Sequence, residues 1–161
     1  MVSDAQRRDE SGLTYIELLV VIAVMLVLAS AVIPLKRWDE KRRREAYLRM
    51  TLETMRDALD LYKRYAVEGL IVQSDVDQMG YPLSLEELVE GVEVGNPNSP
   101  NATTMQFLRK IPVDPITEEA DWGLRSYQDD WDSNSWGGEN VYDVYSLAQG
   151  RALDGTDYSE W

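Results

Sequence analysis

The 161-residue chain contains neither cysteine nor histidine. The lack of cysteine excludes disulfides and thiolate nucleophiles, and the lack of histidine excludes Ser-His-Asp and Cys-His catalysis. Most zinc chemistry is excluded too, because zinc sites are built chiefly from these two residue types. An enzyme on this chain would have to rely on carboxylates, lysine or tyrosine, so the composition favours a protein that is not an enzyme.

Basic residues are scarce after residue 45. Residues 46–161 hold 8 Lys or Arg against 22 Asp or Glu, whereas residues 36–45 hold six Lys or Arg against three Asp or Glu. A strongly acidic body repels phosphate groups, so we expect no nucleic-acid partner. The excess of carboxylates would suit divalent cations.

Charged residues are absent from Leu18 to Leu35, a run of 18 residues. As a helix this run is about 27 Å long, close to the thickness of the bilayer hydrocarbon. A signal peptide and an ordinary single-pass anchor are the alternatives, but no convincing cleavage site follows the run, so we predict a retained membrane helix. Because more Lys and Arg follow the run than precede it, the positive-inside rule alone would place its C-terminal side in the cytoplasm.

Glu17 stands at the start of this apolar run, where a carboxylate without a partner is costly. The stretch "SGLTYIELLVVIAVMLVLASAVIP" resembles the class III signal of type IV pilins and type II secretion pseudopilins. The resemblance implies that prepilin peptidase cuts after Gly12 on the cytoplasmic face and that the new amine of Leu13 is methylated. Pro34 matches the family's helix-kinking proline. The cleavage site must face its peptidase, so this motif predicts that the N-terminal leader is cytoplasmic, against the orientation that the Lys/Arg count favours.

The resemblance also implies a partner for Glu17, which matches the family's glutamate at the fifth mature position. In a filament this carboxylate would neutralise the free amine of Leu13 on a neighbouring subunit, within a low-dielectric bundle that favours pairing. The alternative is that Glu17 belongs to a signal anchor and extends to the membrane surface.

After the apolar run, the absence of Gly and internal Pro between Lys36 and Glu68 predicts one long helix that ends at Gly69. Its apolar residues recur every three or four positions, which predicts that one face packs against a globular domain rather than forming a coiled coil. That face comprises Leu48, Leu52, Met55, Leu59, Tyr62 and Ala66.

Beyond this helix the sequence predicts a small α+β domain. Ser84 and Glu87 fit a capping box at the start of a second helix, and "GNPNSPN" at Gly95–Asn101 reads as a loop. "WGLRSYQ" (Trp122–Gln128) and "NVYDVYSLA" (Asn140–Ala148) predict an antiparallel hairpin around a polar loop, "DDWDSNSWGG". The carboxylates of that loop favour a solvated or cation-binding surface over acid–base chemistry.

These later segments resemble the major pseudopilins of type II secretion more than other branches of the family. The resemblance lies in Tyr81-Pro82, in "KIPVDP" followed by "WGLRSY", in "YDVYSLAQG" and in the final "DGTDYSEW". Two insertions depart from the family pattern, "ITEEAD" (Ile116–Asp121) and the "DDWDSNSWGG" loop.

The resemblance implies a structural calcium ion between the YSL strand and the acidic C-terminal residues. Mapped by position, the carbonyl ligand falls on Leu147, a carboxylate on Asp157 and a hydroxyl-bearing ligand on Ser159. The family's first loop aspartate falls on Gly150, which has no side chain that could bind calcium. We predict that Asp154 supplies the missing ligand instead. Oxygen ligands of these kinds suit calcium.

Together these observations predict a type IV pilin-like α+β fold, with a long N-terminal helix packed on a small antiparallel sheet. The predicted parts are a leader (1–12), a membrane and filament-core helix (13–35), its amphipathic continuation (36–69) and a periplasmic domain (70–161). The resemblance implies a subunit of the inner membrane that polymerises into a periplasmic filament for type II secretion. It also implies minor pseudopilins, prepilin peptidase and the inner-membrane secretion platform as partners. The alternatives are a type IV pilus subunit for adhesion, motility or DNA uptake, and a monomeric anchored binding protein.

Overall fold

The computed structural model describes residues 14–73, 75–95 and 103–161, apart from the side chains of residues 31–35. Its first element is helix α1 (Tyr15–Val67), 53 residues long. The chain divides into two units, residues 1–40 and residues 41–161, which are described separately.

In the first unit, the apolar side chains of α1 between Leu18 and Leu28 are exposed, most of them by about half or more. In the described part of the chain, no helix combines the length and the apolar character needed to cross a membrane. The predicted membrane helix extends to Leu35, and the side chains of its last five residues lie outside the described part.

In the second unit, α1 is amphipathic and buries the predicted stripe. Leu48, Leu52, Met55 and Leu59 are at most 1% exposed, and Tyr62 is 3% exposed. Spacings of three and four residues place these side chains on one face of a 3.6-residue helix. That face forms the core together with residues from the rest of the unit, which confirms the predicted packing.

Helix α1 ends at Val67 because Gly69 adopts a positive φ of 72°, a conformation that glycine reaches without steric cost. The Gly69 and Leu70 amides then donate to the carbonyls of Ala66 and Tyr65, at 3.0 and 2.9 Å. The predicted stop at Gly69 is therefore confirmed.

Helix α2 (Leu85–Glu90) follows, with Leu85 and Leu88 buried against the core. The prediction of a capping box at its start is wrong, because the Ser84 side chain makes no capping hydrogen bond. A capping box occurs instead at a 3₁₀ turn (Val76–Gln78), between Asp75 and Gln78.

Two antiparallel pairs of short strands complete the described fold. The predicted hairpin is present as β3 (Trp122–Arg125) and β4 (Asp143–Ser146), with Leu124 opposite Val144. The other pair, β1 (Val92–Val94) and β2 (Thr103–Met105), was not predicted. The intervening loop, predicted at Gly95–Asn101, lies outside the described residues apart from Gly95.

The observed architecture confirms the α+β class: a long helix packs its amphipathic half against small antiparallel strand pairs. Val144 of β4 and Val141, two residues before the strand, are fully buried and belong to the same core as the helix stripe. A second 3₁₀ turn (Tyr158–Glu160) packs beside β4 and brings the C-terminal residues back to α1. This return positions the sites described below.

Candidate functional sites

Glu17 lies in the first turn of α1, with its side chain exposed. Its backbone amide donates to Thr14 Oγ1 at 3.3 Å, but its carboxylate makes no hydrogen bond or ion pair with the described residues. A carboxylate in the first turn of a helix interacts favourably with the helix dipole. Gly12 and Leu13 lie outside the described residues, as does the side chain of Pro34.

Three of the four predicted calcium ligands line one open cavity of about 540 Å³ beside β4. They are Leu147, Asp157 and Ser159, and Gly150 and Asn134 line the same cavity. Asn134 belongs to the inserted loop, so its presence there could not be inferred from the family pattern. Carbonyl, carboxylate, hydroxyl and amide oxygens are all ligands that calcium accepts.

The fourth predicted ligand, Asp154, does not line this cavity. Its carboxylate pairs with Arg49 of α1 and accepts hydrogen bonds from the amide and hydroxyl of Thr156, at 3.0 and 2.6 Å. The hydrogen bonds from Thr156, followed by the pairing with Arg49, hold the pKa of Asp154 below its usual value. Asp154 therefore fastens a turn to α1, on a groove separate from the predicted calcium ligands.

The cavity contains one carboxylate of the predicted set, and that carboxylate has a cationic neighbour. Arg151 Nε lies 3.3 Å from Asp157 Oδ1, and the Arg151 side chain is 75% exposed. Among the described residues, no group of three or more Asp, Glu, His or Cys could hold a metal ion. Any cation here would depend mainly on neutral oxygen atoms.

A buried cation, Arg125 of β3, lies beside residues that line this cavity and is 7% exposed. Its Nε donates to the Ser133 carbonyl of the inserted loop at 2.8 Å, and its Nη2 donates to the Ser159 carbonyl at 2.9 Å. Its guanidinium carbon lies 4.2 Å from the centre of the Tyr145 ring. One buried cation thus connects the sheet, the inserted loop and the C-terminal residues.

A second arginine completes this attachment from the helix. Arg56 donates to Asp143 Oδ1 at 2.7 Å and to the carbonyls of Val144 and Trp161, at 3.1 and 2.9 Å. Asp143 Oδ2 also lies 3.7 Å from Arg125 Nη1, so the two arginines share one carboxylate. Sequence reasoning missed this arrangement. The one local signal was an arginine inside a short predicted strand of otherwise uncharged residues.

Glu45 of α1 holds the C-terminal residues at a third point. Its Oε1 accepts hydrogen bonds from the Leu153 amide and the Tyr158 hydroxyl, both at 3.0 Å, and Glu45 is 7% exposed. Burial, followed by the hydrogen bond to Glu45, raises the pKa of Tyr158 to about 12. Tyr158 is therefore neutral at neutral pH and donates its hydroxyl hydrogen to Glu45.

The inserted loop, predicted to form a solvated or cation-binding surface, is largely exposed and is held by internal hydrogen bonds. Asp129 Oδ2 accepts hydrogen bonds from the amides of Ser126 and Gly137, at 2.7 and 3.0 Å. Trp136 Nε1 donates to the Asn140 carbonyl at 2.8 Å. Asp129 therefore closes the loop and is occupied by backbone amides, which leaves it unsuited to acid–base chemistry.

Comparison of the sequence with known proteins identifies the family of the chain. The chain is 30% identical to type II secretion system core protein G of Pseudomonas aeruginosa over 155 residues, covering 94% of this chain and 92% of the relative. The chain belongs to this family of major pseudopilins. Type II secretion system core protein G of Vibrio cholerae is 26% identical over 161 residues, covering 96% of this pseudopilin and 93% of the relative.

No protein-family model matches this pseudopilin, and no solved structure matches it significantly. Membership rests on similarity along almost the whole length of both relatives. Core protein G is a structural subunit of the secretion system, so this pseudopilin is a structural protein and not an enzyme.

Proposed function

We propose that the chain polymerises into a periplasmic pseudopilus that drives protein export through a type II secretion system. The observation that carries this proposal is the full-length similarity to two core G proteins, which favours secretion over a type IV pilus. Minor pseudopilins, prepilin peptidase and the inner-membrane secretion platform are the partners this role requires. The subunit enters the filament from the inner membrane, with residues 41–161 on the periplasmic side.

The first part of α1 forms the filament core in this proposal. Its apolar side chains from Leu18 to Leu28 are exposed in the single chain, so they gain stability when lipid or neighbouring helices cover them. Cleavage after Gly12 and methylation of Leu13 prepare the helix for assembly. Pro34, which removes one backbone donor, bends it where the apolar run ends.

Glu17 sets the register between subunits. Its carboxylate has no partner among the described residues, and it lies at the edge of the apolar surface that assembly buries. Burial of an unpaired carboxylate is costly, so the arrangement that places the Leu13 amine of a neighbour beside Glu17 is favoured over other registers.

The experiment replaces Glu17 with Ala in cells that carry the complete secretion system. We expect the variant to insert in the membrane but to form no filaments and export no substrate. Glu53→Ala, which removes an exposed glutamate from the same helix, is the matched control and should assemble normally. Export and filament assembly that survive Glu17→Ala would contradict the register role.

N-terminal mass spectrometry of membrane-extracted protein tests the processing steps separately. A mature chain that begins at methylated Leu13 is the expected result. A chain that retains Met1 in cells with active prepilin peptidase would contradict the proposed cleavage after Gly12.

A calcium ion held by Leu147, Asp157 and Ser159 is the second part of the proposal. The support is that these three residues line one cavity and offer a carbonyl, a carboxylate and a hydroxyl oxygen. Bound calcium would supply positive charge that ties the segment after β4 to the C-terminal residues. With a single carboxylate, the affinity belongs at the weak end of the range for protein calcium sites, about 10⁻⁴–10⁻³ M.

Thermal unfolding in millimolar CaCl₂ and in EDTA tests this site. We expect calcium to raise the melting temperature of the wild-type protein and of Asp154→Asn, because Asp154 lies outside the cavity. Asp157→Asn should lose the calcium-dependent increase. An identical increase in Asp157→Asn would contradict the assignment of ligands.

A further inference from the structure

We propose that the inserted acidic loop of one subunit binds the basic segment of α1 in a second copy of this chain. The acidic loop is residues 129–139, which hold three Asp, one Glu and two Trp and no Lys or Arg. The basic segment is residues 36–44, which hold six Lys or Arg against two Asp or Glu. This inference rests on the proposed assembly into a filament.

The acidic loop exposes an aromatic side chain between two acidic ones. Trp131 is 84% exposed, and the carboxylates of Asp130 and Asp132 on either side of it are exposed and make no contact with a cation in the described residues. Tryptophan is enriched in protein interfaces and can pair there with Arg or Lys. The carboxylates beside Trp131 would direct such a contact towards a basic surface.

The loop holds these groups in a fixed arrangement. Asp129 binds two amides that close the loop, Arg125 binds the Ser133 carbonyl, and the Trp136 indole binds the Asn140 carbonyl. A surface that is already ordered loses little conformational entropy on binding. The loop is therefore prepared for a partner, and Trp131 remains 84% exposed on it.

The basic segment offers the complementary groups. Lys36, Arg37 and Arg42 are exposed and form no ion pair or hydrogen bond within the described part of the chain, and Trp38 between them is 66% exposed. The segment carries a net charge of +4 and the acidic loop a net charge of −4, so the two surfaces have opposite signs. Complementary patches of this kind set the partner and the orientation of binding.

The contacts within one chain argue that the partner is a second copy. Lys41 donates to the Arg151 carbonyl at 2.6 Å, and Arg44 donates to Glu118 Oε1 at 3.0 Å. The end of the basic segment is therefore occupied by residues outside the acidic loop. Lys36, Arg37 and Arg42 remain available for another subunit, which in a filament is another pseudopilin.

Cross-linking in assembled filaments tests the contact directly. Because the chain has no cysteine, Asp132→Cys with Arg42→Cys gives a molecule with two thiols, and a short bis-maleimide reagent joins them. We expect a ladder of covalent multimers. Asp132→Cys with Glu86→Cys, an exposed residue of α2, is the matched control and should give no ladder. A cross-link confined to one chain, or ladders of equal strength in both pairs, would overturn the proposal.

Reversing the charges on both surfaces provides a second test of the contact. Asp130→Lys with Asp132→Lys should reduce filament yield by on the order of tenfold, and adding Lys36→Glu with Arg42→Glu should restore most of it. Reversed charges that leave the yield unchanged would overturn the contact between loop and segment. If the wild-type chain forms no filament in cells with the secretion system, the proposed function itself fails. If the wild-type chain forms filaments but the Asp132→Cys, Arg42→Cys pair gives no cross-link between subunits, only this inference fails.

Discussion

Replacing Arg125 with Met tests whether a buried guanidinium holds the C-terminal residues in place. Methionine has a similar length and keeps the apolar contact with Tyr145, but it cannot donate a hydrogen bond. The substitution removes the bonds to the Ser133 and Ser159 carbonyls, at 2.8 and 2.9 Å. Asp143 keeps its partner Arg56 at 2.7 Å, so no carboxylate is left unpaired.

The expected cost follows from these contacts. A hydrogen bond that involves a charged group contributes about 1.5–3 kcal/mol, and two are lost. Ser133 and Ser159 are half-buried, so water can reach their carbonyls and replace part of the loss. We therefore expect the free energy of unfolding to fall by about 3 kcal/mol. Arg125→Lys keeps the positive charge but lacks the planar guanidinium. Its free energy of unfolding should therefore lie between those of the wild type and of Arg125→Met.

The assay is urea unfolding of the full chain in detergent micelles, followed by tryptophan fluorescence. Arg151→Met is the matched control, because Arg151 forms an exposed ion pair with Asp157 at 3.3 Å and should change stability by less than about 1 kcal/mol. Limited proteolysis should also cut the inserted loop and the C-terminal residues faster in Arg125→Met. Equal destabilisation by the two substitutions would refute the assigned role of Arg125.

Three further predictions concern the packing of the same unit. Leu59→Ala should lower the free energy of unfolding by about 2–5 kcal/mol because Leu59 is 1% exposed, whereas Met50→Ala, at 55% exposure, should change it little in the same denaturation assay. Gly123→Ala should lower the free energy of unfolding by about 1–3 kcal/mol, because a Cβ there would overlap the Tyr145 ring. Adding Tyr145→Leu to Gly123→Ala should recover part of the lost stability, measured by thermal melts. The raised pKa of Tyr158, about 12 against an ordinary 10.0, predicts stability that is complete below pH 10 and falls as the pH rises towards 12. Melting temperatures across this range should fall less steeply in Tyr158→Phe, and an unchanged slope would contradict the pKa assignment.

The parts of the fold that depend on local pattern were predictable. The stripe from Leu48 to Tyr62 follows from helical periodicity, and Gly69 ends the helix through its own conformational freedom. The β1–β2 pair escaped prediction because each strand has only three residues and Thr103 and Thr104 carry no apolar alternation. Ser84 matched a capping pattern, but its side chain makes no capping bond.

The candidate sites were predictable only in part, because they depend on contacts between distant residues. The family pattern selected Leu147, Asp157 and Ser159, which do line one cavity. It could not show that Asp154 pairs with Arg49, which lies 105 positions away in the chain. The role of Arg125 was equally hidden, because its two carbonyl partners come from an insertion and from the C-terminal turn.

The attachment of residues 152–161 to α1 has a consequence for when the domain folds. Glu45 bonds to Tyr158 across 113 positions, and Arg56 bonds to Trp161 across 105. Contacts of such long range slow folding, because the intervening chain must be ordered before they form. While the protein is being synthesised and translocated, helix α1 emerges first and its apolar stripe has no complete partner surface until the last residues arrive. A chaperone that shields this stripe would therefore bind it until the C-terminal residues have been translocated. Chains that lack even a few C-terminal residues would leave the stripe incompletely covered, and proteases would degrade them.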